Sequence, residues 1–142
     1  MISVTISQSL AQATILLIIS TIRTAFPSTL AIYLFGSRAN GTANSESDLD
    51  LAILVAGYAE PLQLWNVSND LAEIAGCDVD LLDMRAASTV MQYQILQTGR
   101  RLWANGLEAD LFDCFVLNEK LYFDQARAGL LADIEKRGTI HG

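Results

Sequence analysis

Two periods of apolar spacing divide the chain. Residues 8–25 carry Leu10, Ala13, Ile15 to Ile19 and Ile22 at helical spacing. The pattern stops short of Pro27, whose ring disfavours helix in the residue before it. Its apolar positions run most of the way round, which predicts a heavily buried helix. LAIYLF, residues 30–35, is a short apolar run broken by Gly36 and reads as a strand. Residues 36–47 are rich in Gly, Ser, Asn and Thr and read as a loop. DLDLAILV, residues 48–55, opens with period-two alternation and reads as the next strand. Pro61 stands in the first turn of a helix that runs to about Ala75 and ends at Gly76. DVDLLDM, residues 78–84, alternates Asp with apolar residues as a third strand. Residues 86–98 form another helix closed by Gly99, RRLWA at 100–104 an edge strand, and residues 108–136 one long helix. These elements predict an α/β (α+β) fold, a small mixed sheet of three to four strands flanked by helices.

Composition narrows the function. A chain of 142 residues without repeat or low-complexity linker is expected to form one domain, residues 1–142. The ILLII stretch near the start is too short to span a bilayer and lacks the flanks of a signal peptide, so a cytoplasmic protein without membrane contact is expected. A net charge of −7 argues against direct nucleic-acid binding, which needs a basic surface. It suits a basic partner, or cations that manage an anionic substrate. Cys77 and Cys114 make no CxxC pair and read as small buried hydrophobes. His141, the only histidine, lies in the tail and leaves catalysis to other groups.

The chemistry concentrates at residues 36–50 and 78–83. On a strand, residues i and i+2 share a face, so Asp48 and Asp50 project together while Leu49 and Leu51 face the core. Two carboxylates so placed repel unless a cation lies between them, and divalent ions that take oxygen ligands can clamp a phosphoryl group. Asp80 on the third strand can approach them from the side if the second and third strands are neighbours; Asp78 sits at the strand entry, and Asp83 on the opposite face suits a turn or cap. Gly36 permits a sharp turn close to a ligand, Ser37 offers a hydroxyl and an N–H to phosphate, and Arg38 a charge-assisted contact. A phosphate cradle joined to a carboxylate pair points to a nucleoside triphosphate held as its magnesium complex.

Gly36-Ser37, ten residues, then Asp48-x-Asp50 resembles the signature of the DNA polymerase β-type nucleotidyltransferases. GSRANGTANSESDLDL followed by VDLLDM is similar, more narrowly, to the minimal nucleotidyltransferases that serve as antitoxins in HEPN–MNT toxin–antitoxin modules. The resemblance covers roughly residues 30–103; Asn40 stands where relatives often carry a second arginine. It implies that Gly36 and Ser37 hold the triphosphate and that Asp48, Asp50 and Asp80 ligate Mg²⁺, with Mn²⁺ as an alternative. Asp80 would also take the proton of the attacking hydroxyl. The implied reaction is AMP transfer from ATP to a tyrosine of the cognate HEPN toxin, silencing its ribonuclease activity. Two rivals stand beside it: a binding-only antitoxin that occludes its toxin, and an aminoglycoside-type enzyme for a small molecule.

The long C-terminal helix carries more apolar surface than one core requires. Leu111, Phe112, Cys114 to Leu117 and Leu121 to Phe123 cover an arc of about 260°, against little more than about 100° for one buried stripe. Either part of it packs on a partner, or the helix lies deep within its own domain.

Overall fold

The computed structural model describes residues 11–40 and 48–141. Helix α1 (Gln12–Ala25) precedes strand β1 (Thr29–Phe35), one helical turn α2 (Ser37–Asn40) and strand β2 (Leu49–Val55). Helix α3 (Pro61–Ala75), strand β3 (Val79–Asp83), a 3₁₀ turn (Met84–Ala86), helix α4 (Thr89–Thr98), strand β4 (Arg100–Ala104) and helix α5 (Gly106–His141) follow. The strands form one mixed sheet in the order β3-β2-β1-β4, with β1 antiparallel to both neighbours and β2 parallel to β3.

Alternation along the strands builds two cores. Ile32, Leu34, Leu49, Leu51, Ile53 and Leu81 pack on one face against Ile18 and Ile22 of α1 and Val67 and Leu71 of α3. Ala31, Tyr33, Ala52 and Leu54 turn to the other face, against Met84, Ile95 of α4, and Ala109, Phe112 and Val116 of α5. With both faces covered, the central strands β1 and β2 read as almost unbroken apolar runs. Residues that depart from that pattern, such as Asp50, therefore stand out.

Local chemistry sets the boundaries. The Glu60 side chain accepts from the amides of Leu62 (3.2 Å) and Gln63 (2.8 Å) where Pro61 opens α3, and Gly76 closes it with φ 72°. The expected helix at 86–98 begins later, at Thr89, because Asp83 first caps the 3₁₀ turn and Ser88 then caps α4 by accepting from the Met91 amide (3.2 Å). Within the expected loop, Ser37–Asn40 forms a helical turn instead; residues 41–47 lie outside the described residues, as do 8–10 of the first expected helix.

Three expectations of burial fail. Leu16 and Leu17 of α1 are more than half exposed, so that helix buries one face only. Cys114 is exposed on α5. Helix α5 does not lie deep in its own domain either: Leu111, Phe115, Tyr122 and Phe123 are all exposed. It is fastened near its start, where the Tyr33 hydroxyl donates to Asp113 Oδ1 (2.8 Å) and Arg101 bridges Asp113 (3.3 Å) and Asp110 (2.8 Å). From Leu121 to Glu135 every residue is exposed. Among the described residues no helix is long and apolar enough to cross a membrane.

Candidate active site

The strand ladders bring the predicted residues to one corner of the sheet. Phe35, the last residue of β1, pairs with Asp50 across the antiparallel ladder, and Asp50 pairs with Asp80 across the parallel one. Asp50 thus lies between the Gly36 turn and Asp80. It shares its face with Ala52 and Leu54, so the carboxylate opens on the side covered by α4. Asp48 stands one residue before β2 and is exposed, and the Leu49 amide beside it donates to the Asp78 carbonyl (2.8 Å).

Gly36 is required twice over. Its φ of +75° lies in the left-handed region, and a Cβ built there would collide with Oδ2 of Asp50. The absent side chain is therefore the space that the carboxylate occupies. Immediately after it, Ser37 and Arg38 turn into α2, with the Ala39 amide donating back to the Gly36 carbonyl (3.1 Å). The first amides of a helical turn have no partner within it, which suits an incoming phosphate oxygen.

The electrostatics are those of crowded like charges. Burial, then Asp80, then Asp48 push the Asp50 carboxyl above the usual carboxylate range. Among the described residues no three His, Cys, Asp or Glu side chains converge as ready-made ligands of one ion. The donor set nevertheless fits a hard divalent cation, being all carboxylate oxygen and backed by a glycine cradle. Asp83 plays another part, as expected of a cap: it is buried and accepts from the amides of Ala59 (2.9 Å) and Arg85 (3.0 Å). Asp78 is exposed at the entry to β3.

Two clefts flank the carboxylates. One of about 340 Å³ lies between Phe35 and Gly36 and the α4 residues Met91, Gln94 and Thr98. The other, about 610 Å³, runs along β3 past Asp80 and is walled by Leu64 and Trp65 of α3. Met91 lines both. Met91, Gln94 and Trp65 line these clefts without having been singled out in the sequence, because which helical residues face them depends on how the helices pack. Trp65 alone left a signal, a large aromatic on a helix, and it is 65 % exposed.

The corner thus joins a glycine turn pressed on a strand carboxylate to a second carboxylate on the neighbouring strand. In keeping with it, the model of the family "Polymerase beta, Nucleotidyltransferase" matches residues 18–106, and the chain belongs to that family. Within it, the chain is 33 % identical over 117 residues to the protein adenylyltransferase MntA of Shewanella oneidensis, covering 82 % of this chain and 84 % of that protein. Its fold matches the crystal structure of the toxin–antitoxin with AMP-PNP at a TM-score of 0.73 and 33 % identity, over 82 % of this chain and 94 % of that one. It also matches the tri-AMPylated Shewanella oneidensis HEPN toxin in complex with MNT antitoxin, at TM-score 0.71 and 30 % identity, over 87 % of this chain and 97 % of that one.

Proposed function

We propose that the chain is a cytoplasmic antitoxin acting as a protein adenylyltransferase. It moves AMP from ATP to a tyrosine hydroxyl of a cognate HEPN-type ribonuclease toxin and releases pyrophosphate. The observation that carries this reading is Asp50 held between the Gly36 turn and Asp80, in a chain related to MntA.

Gly36, Ser37 and Arg38 receive the triphosphate, and Asp80, exposed on β3, meets the acceptor. The tyrosine oxygen attacks the α-phosphorus as its proton passes to the Asp80 carboxylate. The bond from the α-phosphorus to the bridging oxygen breaks, and pyrophosphate leaves with that electron pair on the Ser37 side. Asp48, Asp50 and Asp80 are the residues that would hold Mg²⁺, or Mn²⁺ in its place. Such an ion supplies charge neutralisation at the α-phosphate and among the carboxylates. The protein's own share is positioning: β1 and β3, on either side of β2, hold the donor and acceptor sides about Asp50.

The test is label transfer with Mg²⁺ and ATP labelled at the α- or the γ-phosphate, using the product of the neighbouring gene as acceptor. α-Label on that protein, absent with γ-label and with Asp48→Asn/Asp50→Asn, is the expected result. A toxin neutralised in a tight complex without label would replace this reading by binding-only inhibition.

A further inference from the structure

An edge strand leaves one row of backbone groups open to a further neighbour, and among the described residues β3 is such an edge, with β2 as its one partner in the sheet. The register Asp50↔Asp80 and the bond from the Leu49 amide to the Asp78 carbonyl turn the backbone groups of Asp78 and Asp80 toward β2. Successive residues of an extended strand direct these groups to opposite sides. Val79 and Leu81 therefore direct their N–H and C=O groups out of the sheet, and among the described residues no strand pairs with them. This open edge runs along the groove of about 610 Å³, between Leu64 and Trp65 on one side and Ser88 and Met91 on the other. Asp80 lines the same groove.

We infer that this edge receives the acceptor polypeptide as an added strand, with the acceptor tyrosine opposite Asp80 and its two chain neighbours against Leu64 and Trp65. The inference rests on the adenylyltransferase reading and deepens it by saying how the acceptor is held. Open donors and acceptors at Val79 and Leu81 repeat at the two-residue spacing of another extended backbone, which neither a small molecule nor a helix face reproduces. The strand spacing of about 4.8 Å sets the residue beside Asp80 on the face of Asp80, the face that also carries Asp50. Residues before and after it fall on the opposite face, shared by Val79 and Leu81, where α3 offers Leu64 and Trp65. The acceptor segment is thus extended, with apolar or aromatic residues on each side of the tyrosine.

The probe is a library of nine-residue peptides with a fixed central tyrosine and randomised flanks, assayed with α-labelled ATP and Mg²⁺. Trp65→Ala truncates a side chain that is 65 % exposed. Val79→Pro removes one outward N–H at the first residue of an edge strand, where proline is tolerated. We expect labelling that favours apolar or aromatic flanks, and a peptide KM raised at least tenfold in both variants with ATP affinity unchanged. N-methylation of one alternate set of peptide amides abolishes labelling, and methylation of the other set leaves it intact. Wild-type KM in Trp65→Ala, indifference to N-methylation, or a labelled folded partner with no labelled peptide overturns strand addition and leaves adenylylation standing. A dimer of the chain that dissociates in Val79→Pro assigns the edge to self-pairing and overturns it too. α-Label on neither peptide nor protein, with ATP still bound, overturns the adenylyltransferase reading itself and this inference with it.

Discussion

Replacing Asp50 by asparagine separates what the carboxylate costs the fold from what it does for the reaction. Asp50 lies one strand spacing from Asp80 and two residues from Asp48, and burial together with both neighbours raises its affinity for a proton. Two unit charges about 5 Å apart repel by roughly 1 kcal/mol in water-like surroundings and about 3 kcal/mol at an effective dielectric of 20. Asp80 is exposed, so the lower figure applies. Asp50→Asn keeps the shape and removes the repulsion. It should stabilise the metal-free protein by about 1 kcal/mol, a rise of roughly 3–5 °C in Tm at this chain length. Folded Asp50 binds its proton more tightly than the unfolded chain does. Its destabilising effect therefore grows as pH rises from the ordinary carboxylate value through the raised folded one, and is complete only above that folded value. The gap between variant and wild type is widest near pH 7 and closes in acid. Urea unfolding in EDTA across that range, followed by circular dichroism, measures it. MgCl₂ should then reverse the order, because an ion that binds only the folded wild type stabilises it by mass action. Transfer by the same variant should fall at least a hundredfold. A variant less stable than wild type in EDTA at pH 7, or one that gains as much from MgCl₂, refutes the reasoning.

Three further substitutions test other parts of the structure. Gly36→Ala forces a left-handed backbone on a residue with a Cβ and drives Asp50 from its place; it should cost about 1–2 kcal/mol in urea unfolding and weaken ATP binding by titration calorimetry. Tyr33→Phe leaves Asp113 with Arg101 alone, at about 1–2 kcal/mol and with faster amide exchange near the start of α5. Burial and then Asp113 push the Tyr33 hydroxyl upward, so ultraviolet titration of the folded protein should leave it protonated. Asp83→Ala strands the amides of Ala59 and Arg85 and should lower stability by about 2–3 kcal/mol, with transfer falling as β3 loosens.

What could be read in advance was whatever depends on neighbours in sequence. The strands, the start of α3 at Pro61, the cap at Gly76 and the capping part of Asp83 all follow from local chemistry. That β2 and β3 are neighbours, which sets Asp80 beside Asp50, stayed a condition in the sequence, because strand order in a sheet is a long-range choice that alternation alone does not fix. Burial was less legible. The apolar run Ile15–Ile19 looked buried all round, yet Leu16 and Leu17 face outward, because a helix on a sheet hides one side only. The excess apolar arc of α5 was visible, but whether its own domain would cover it depended on where Phe112 and Val116 anchor it. Met91 and Gln94 could not be assigned at all, since nothing in their spacing tells that α4 crosses above Gly36.

The pairing of Phe35 with Asp50 also bears on how such a site varies over generations. The Gly36 turn and the Asp50 carboxylate meet because rungs of a ladder hold them, from Leu34 against Leu51 back to Ile32 against Ile53. Among the described residues of the stretch that joins them, 36–40 and 48, none supplies a rung. A one-residue slip in the ladder would move Asp50 to the wrong face of the sheet.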